Sequence, residues 1–467
     1  MAEKNLRFAT LSVVCVAHFL MPFMMSAVGV ALPVIGREFH ASAVQLGLIE
    51  TSYVASASIF LLAMGRLGDI VGRRKIFQIG LGLFTLAGGL ISQAWAVDVV
   101  IGLRFFQGMG GAMVMATTMA IVVAVFPEKD RGKALGIAVA SVYAGISCGP
   151  FIGGTLVSIL GWRSIFYLCI PLGLTALLTT TLLLRDEWVG AAGEPFDWQG
   201  WLIYAVSIAS LVVGATHLAE GVLFRVLLAG GVCGVVLFLW FESRRRFPLL
   251  NMDLLLHNRV FALSNLAAMF NYAGTFSMTF FLSLFLQVVL GFAPHEAGGV
   301  LIIQPLVQTL FSPVCGRLSD RYPADWVATA GMALCALGIG MAATLTAVSP
   351  LSFIVVILVV LGLGFALFSS PNTRVIMTSV AERDLGVASG FSASMRTLGM
   401  MGSMTIVTVI FSWQMAGQPI TPQTQDLFIQ SMHIALLIFS GLCAIAVFSS
   451  FGRHQSPSKQ SGVLNDE

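Results

Sequence analysis

Glu50 and Arg104 are ionisable side chains set inside apolar runs, where lipid would ordinarily exclude charge. Each lies about six residues from the end of its run, which at 1.5 Å per residue is a depth of ~9 Å. Charged groups at such depth face a cavity or an opposite charge, and they tend to be functional. A carboxylate held beside a guanidinium stays ionised until the pairing weakens, and then takes up a proton. The pair Glu50 and Arg104 is therefore expected to handle a proton. Two plainer roles stay open: Glu50 bonding Thr51 or Ser52 or snorkelling to water, and Arg104 tying helices together through carbonyls. His18 sits well inside the first run and could titrate near neutral pH; a hydrogen-bonded role in a cavity wall or against a neighbouring helix is the alternative. Asp98 is a further proton candidate, although it lies at a span end with Glu220 and Glu296 and reads as solvated there.

The elements that must position these groups follow from composition. The chain has 467 residues, 57% hydrophobic and 10% charged, with a mean hydropathy of +0.91; a soluble domain would carry about 25% charged residues. Apolar runs of about 20 residues recur from end to end, each long enough to cross a hydrocarbon core of ~30 Å. Backbone groups in lipid must bond internally, so the runs are helices. The expected fold class is an all-α integral membrane protein with 14 transmembrane helices, at about 8–32, 44–64, 76–96, 99–125, 133–157, 163–184, 199–218, 222–241, 260–290, 297–315, 327–347, 351–372, 386–414 and 427–451. The first run is too long for a signal peptide and lacks a small-residue cleavage site, so it counts as a span. The seven cysteines stand singly in apolar runs. They have neither metal-ligand spacing nor the look of a disulfide framework.

Placing the N-terminus in the cytoplasm puts twenty of the 25 Lys and Arg residues on the cytoplasmic side, three outside and two (Arg104 and Arg396) within spans. That bias sets the orientation, with both termini cytoplasmic. Topology thus accounts for most of the formal charge of +3.

The loop after the second run reads Gly65-Arg66-Leu67-Gly68-Asp69-Ile70-Val71-Gly72-Arg73-Arg74-Lys75, and a reduced copy, Gly316-Arg317-Leu318-Ser319-Asp320-Arg321, follows 251 positions later. A second echo pairs Glu128–Gly136 with Glu382–Gly390, offset by 254. Each six-span half takes roughly 190 residues, which leaves room for two extra spans. The expected organisation is an N-terminal six-helix bundle (1–185), a two-helix insert with linker (186–259), a C-terminal six-helix bundle (260–452) and a cytoplasmic tail (453–467).

On this loop and its echo the chain resembles the major facilitator superfamily. The order of further features resembles its fourteen-span drug/proton antiporters: the two-helix insert, Glu242-x-Arg244, Pro248-Leu249-Leu250, Leu286-Gln287-x-x-x-Gly291 and Ser394-x-Arg396-x-x-Gly399. The resemblance implies two parallel halves that rock about a central site. It also implies a conformational latch formed by Gly65, Asp69, Gly72, Arg73 and Arg74, with Asp320 and Arg321 as the symmetric counterpart. Gly145-x-x-x-Gly149-Pro150-x-x-Gly153-Gly154 is similar to the antiporter motif of the superfamily's exporters, although such spacing also lets helices pack backbone to backbone. Arg104 with Gln107, Gly108, Gly110 and Gly111 resembles the motif whose arginine takes part in proton coupling. One departure matters. Where this branch usually has an aspartate in the first span, the chain has Met24, which neither binds a proton nor pairs with a cation.

A cavity near the midplane is expected to draw its wall from Phe23, Met24, Met25, Tyr53, Gln107, Tyr143, Asn271, Tyr272, Gln304, Gln308 and Asn372, with helix packing as the alternative use of the same residues. Aromatic and methionine side chains with scattered amides suit an amphipathic solute. The chain has no phosphate-binding G-x-x-x-x-G-K-(S/T) loop, which argues against transport driven by its own ATP hydrolysis. Neither a nucleophile–base arrangement nor a metal-ligand set stands out. The expectation is an exporter of amphipathic or hydrophobic small molecules, coupled to proton antiport, with a facilitator or importer of a defined metabolite as the alternative. It needs no cofactor beyond a proton gradient. The expected partners are the solute, protons and the lipid bilayer, without nucleic acid, in a monomer.

Overall fold

The structure is a computed structural model that describes residues 2–184, 186–191, 193–218, 221–245, 248–249, 252–380, 385–415 and 417–450. Glu220, Arg246, Leu250, the Glu382-Arg383-Asp384 portion of the second echo and the tail from 453 lie outside them. The described chain is almost wholly helical. Helices α1 (Ala2–Phe39), α2 (Ala43–Val71), α3 (Arg73–Ile91), α4 (Val97–Val125), α5 (Glu128–Leu160) and α6 (Arg163–Leu183) pack on one another as a first bundle. Next come α7 (Trp198–Thr216), α8 (Val222–Glu242) and a short α9 (Met252–His257). The second bundle holds α10 (Arg259–Leu284) with a π-helical turn (Phe285–Val289), α11 (Pro294–Leu301), α12 (Ile303–Arg321), α13 (Ala324–Ala342), α14 (Leu351–Thr378), α15 (Leu385–Gln414) and α16 (Gln425–Ser450). Counting α10 with its π turn as one span and α11–α12 as another, fourteen helices among the described residues are long and apolar enough to cross a membrane.

The structure shortens the connection expected at 65–75. Helix α2 continues to Val71 and α3 begins at Arg73, so Gly72 alone makes the turn. Its φ of +129° is a backbone conformation that side chains with a Cβ rarely adopt. The Asp69 and Arg73 side chains bridge this break at 2.8 Å. The reduced copy is likewise helical, within α12.

Glycine sets how closely the helices approach. A Cβ on Gly145 would stand 2.3 Å from the Phe19 carbonyl oxygen, on Gly149 2.5 Å from Ser26 Cβ, and on Gly153 2.7 Å from Ala27 Cβ, so α5 lies on the α1 backbone. Prolines release the carbonyl four residues earlier, because they have no N–H to donate. Pro150 frees the Ile146 carbonyl, which accepts from Ser26 Oγ at 3.2 Å. Pro33 frees the Gly29 carbonyl, which accepts from Ser283 Oγ of α10 at 2.7 Å. The π turn aims Gln287 at the same place, its Nε2 donating to the Val30 carbonyl at 2.9 Å.

These last two bonds join the bundles near the end of α1 distant from the termini, which we term the opposite face. Other contacts gather there. A Cβ on Gly154 would meet the Pro294 carbonyl oxygen at 2.4 Å, and one on Gly298 would meet that of Pro150 at 2.0 Å. Ala43 N–H donates to the Gln418 carbonyl at 3.1 Å, and Thr51 and Thr408 hydroxyls stand 3.5 Å apart. On the face that holds the start of α1, the terminal face, hydrogen bonds among the described residues join segments of the same bundle or of the insert. The bundles are thus clamped at one face. The α7–α8 pair lies against α2 and α15, with Trp201 Nε1 donating to the Ile59 carbonyl at 3.2 Å.

Replacing Gly298 with valine is expected to hold α11 off α5 and open the opposite face. Maleimide labelling of a cysteine placed at Met278 in a cysteine-free background should rise by roughly tenfold, the population change that about 1.4 kcal/mol produces. Unchanged labelling of correctly inserted protein would mean that this contact does not control closure.

Candidate functional site

Helices α2 and α4 bring Glu50 and Arg104 together as their equal depths predict. Arg104 Nη2 stands 3.3 Å from Glu50 Oε2, with the two side chains 0% and 3% exposed. Tight α2–α4 packing makes this possible, since a Cβ on Gly108 would stand 2.2 Å from the Tyr53 carbonyl oxygen. The guanidinium is engaged on every side. Its Nη1 donates to Gln107 Oε1 at 2.8 Å, its Nε donates to the Ile49 carbonyl at 3.3 Å, and its Cζ lies 4.2 Å from the centre of the Tyr53 ring. Glu50 Oε1 and Gln107 Nε2 are buried with no hydrogen-bond partner among the described residues. Both roles left open for Arg104, ion pairing and carbonyl tying, are therefore realised. Tyr53 and Gln107 belong to this arginine's surroundings inside the first bundle, not to a wall between the bundles.

His18 is buried where α1 meets α5. Its Nδ1 lies 3.2 Å from the Ala138 carbonyl oxygen, and its Nε2 has no partner among the described residues. Asp98 is exposed and accepts from Gln45 Nε2 at 3.0 Å, tying the starts of α2 and α4.

A cavity of about 50 Å³ lies between the bundles, lined by Ser26, Pro150, Met278, Gln304, Gln308 and Leu358 among others. Of the expected wall residues, Gln304 and Gln308 line it. Toward the terminal face from it, Tyr143 OH stands 3.1 Å from Ser369 Oγ across the two bundles. Tyr272 also reaches Ser369, and its ring centre lies 5.2 Å from that of Phe365. Met25 is half-buried. The remaining expected wall residues pack inside one bundle. Phe23 stacks on Phe19 at 5.5 Å and Met24 is fully buried. Asn271 Nδ2 donates to Met332 Sδ at 3.5 Å, and Asn372 Nδ2 to the Ser264 carbonyl at 3.0 Å. Helix order predicted which spans face the centre; which side of each helix does so depends on rotation that order does not specify. A further mid-span cation lies close to Tyr272. Arg396 lies with its Cζ 5.8 Å from the Tyr272 ring centre. Its signal in the sequence is a cation in mid-span.

At the terminal face, a strap from the α6–α7 connection covers the expected latch. The Asp69 carbonyl accepts from Gly190 and Ala191 N–H groups at 2.9 and 2.8 Å, and Arg73 N–H donates to the Trp188 carbonyl at 3.0 Å. Arg74 N–H donates to Glu187 Oε1 at 2.8 Å, and Arg66 pairs with Glu194. Gly65 is loosely packed, with Ala116 Cβ 3.8 Å from where its Cβ would be. In the second bundle Asp320 pairs with Arg374 of α14, while Arg321 ends α12 exposed. The two loops do not meet in this conformation.

The Major Facilitator Superfamily model matches residues 14–256 and 264–465. The riboflavin transporter RibZ of Clostridioides difficile is 31% identical over 408 residues, 87% of this chain and 88% of its own. The multidrug resistance protein Stp of Mycobacterium tuberculosis is 32% identical over 393 residues, 83% and 72% of the two chains. The tetracenomycin C resistance and export protein of Streptomyces glaucescens is 29% identical over 409 residues, covering 86% and 76%. Among solved structures, a bacterial homologue of the human lysosomal transporter Spinster, inward-facing and unoccupied, superposes with a TM-score of 0.67 at 16% identity over 98% of this chain and 99% of that one. At that identity the likeness concerns the fold alone.

Removing one member of the buried pair should be more damaging than removing both. Arg104→Met is expected to destabilise the folded protein by about 3–5 kcal/mol, because Glu50 is left buried and uncompensated. Combining it with Glu50→Leu should recover most of that loss. Thermal unfolding of the single and double variants in detergent checks this, and equal melting temperatures would refute it.

Proposed function

The chain belongs to the major facilitator superfamily, is a multi-pass membrane transporter and is not an enzyme, and on that premise we propose that it exports amphipathic or hydrophobic small molecules in exchange for protons. The observation that most supports proton coupling is the Glu50–Arg104 pair, a carboxylate in the membrane with one oxygen bound to a guanidinium and the other free of hydrogen bonds. Protonation at Oε1 would discharge the carboxylate and loosen its hold on Arg104, whose bonds to Ile49 and Gln107 run along α2 and α4. A change of charge would thereby be felt as a change in how two helices pack. Met24 supplies no acid in α1, so the proton falls to Glu50.

The bias of Lys and Arg supports a terminal face in the cytoplasm and a plasma-membrane location. The present conformation is then open inward, with the opposite face clamped. Asp69, Arg73 and Arg74 act as a latch in the other conformation, which requires the α6–α7 strap to release them. Export is further supported by relatives whose names describe multidrug resistance and tetracenomycin C export. A second reading, facilitated movement of one metabolite, has the riboflavin transporter in its favour. The glycines of α5 would then serve packing alone.

Proteoliposomes with a trapped pH-sensitive dye test the reading, using lipophilic cations, neutral drugs and amphipathic anions in turn. Substrate-driven proton movement is expected in the wild type and is expected to vanish in Glu50→Gln. Survival in the variant would move the proton to His18 or Asp98, and solute flux without proton movement would establish the facilitator. Asp69→Asn is expected to abolish most flux at unchanged expression. Undiminished flux would remove the latch.

A further inference from the structure

We propose that Arg396 is an anion-recognition group in the space between the bundles, so that the preferred ligands are organic anions with a flat apolar body. This deepens the export reading and rests on it.

Arg396 is eleven residues into α15, about 17 Å along a helix of 1.5 Å rise, hence close to the middle of a hydrocarbon layer of ~30 Å. A guanidinium there has five N–H donors to satisfy. Arg104 shows how this chain holds an enclosed arginine: a carboxylate, an amide, a carbonyl and a ring at 4.2 Å. Arg396 has none of these polar partners among the described residues. Among the described residues no carboxylate lies within ion-pair reach and no acceptor takes a hydrogen bond from it; its one contact of this kind is the face of Tyr272 at 5.8 Å. It is half-buried, so its donors are neither fully packed away nor fully in water.

Its surroundings suit a particular ligand. Tyr272 and Phe365 form an edge-on aromatic pair, and Tyr143 of the other bundle reaches the Ser369 hydroxyl beside them. Beyond, toward the clamped face, lies the cavity lined by Met278, Leu282 and Leu358 with Gln304 and Gln308. An apolar ring system could lie against the Tyr272–Phe365 pair while its acid group stayed with Arg396. The planar guanidinium would meet a carboxylate with two parallel N–H···O bonds, stronger than neutral ones. A cationic compound in the same place would meet an uncompensated positive charge.

The test uses a matched pair, 2-naphthoate and its neutral amide 2-naphthamide, titrated calorimetrically into purified full-length protein. Wild type is expected to bind the naphthoate at least roughly tenfold more tightly than the amide. Arg396→Met is expected to bring the two to parity, chiefly by weakening the naphthoate. Arg396→Lys is expected to keep part of the preference, since it retains the charge but not the fork. Equal binding of the two ligands by wild type, no naphthoate binding, or unchanged naphthoate binding by Arg396→Met would each overturn the assignment. The wild-type comparison stands even if Arg396→Met fails to fold. Proton-coupled flux of a neutral drug without any naphthoate preference would remove this site and leave the export reading. Naphthoate preference with no flux of any compound would do the reverse.

Discussion

Helix α5 lies against the backbone of α1 along one row of glycines, and most of the architecture follows from that contact. Three positions, Gly145, Gly149 and Gly153, leave no room for a Cβ. Close approach of this kind brings backbone carbonyls within reach of neighbouring helices, and in lipid each carbonyl that a proline releases must find another donor. Ser26 serves the carbonyl freed by Pro150, and Ser283 serves the one freed by Pro33. The first of these bonds stiffens one bundle. The second ties that bundle to the other, so a carbonyl freed in α1 becomes part of the clamp. Gly154 and Gly298 continue the same close packing from α5 to α11. A motif that resembles an exporter signature thus packs α5 onto α1 within one bundle, and its Pro150–Gly154 end meets the other bundle at the opposite face.

Two arginines in the membrane are held in contrasting ways. Arg104 is enclosed, and its charge is answered by Glu50, Gln107, Ile49 and Tyr53. Enclosure of that kind makes the ion pair depend on both partners, since a single buried charge is far more costly than a pair. Arg396 is half-buried beside the face of Tyr272, and among the described residues no carboxylate pairs with it. The first can register the loss of a charge on Glu50, and the second can register the arrival of one on a solute. They lie in different bundles, so a coupling between them has to pass through the contacts that join the bundles.

The terminal face has another kind of order. Segments on each side are tied to their own bundle, by Asp69 to Arg73 in one and Asp320 to Arg374 in the other. The strap from 187 to 191 occupies backbone groups of the first loop. Surface ion pairs of this sort are individually weak, which suits contacts that must be exchanged when the bundles rock.

Much was legible in the sequence because lipid leaves a chain few choices. Hydropathy specified fourteen helices, and the repeated Gly-Arg-Leu-x-Asp spacing specified a duplicated plan. Glu50 and Arg104 lie at similar depths in the second and fourth apolar runs, which made their pairing one of few roles open to them, since two charges in lipid have few other partners. The ends of helices were less legible: α2 runs through most of the motif that reads as a loop, because only Gly72 leaves the helical conformation. The cavity wall was the least legible. Tyr53, Gln107, Asn271 and Asn372 turn into their own bundles, whereas Gln304 and Gln308 turn to the space between. The sequence by itself determined the number of helices, because polar backbone groups must be kept from lipid, and the duplication, because motifs recur at a fixed offset; it left the pairing of the buried charges among a few roles. The tertiary structure alone decided which face of each helix looks inward and which end of the molecule is shut, because these depend on helix rotation and on contacts between residues far apart in the chain.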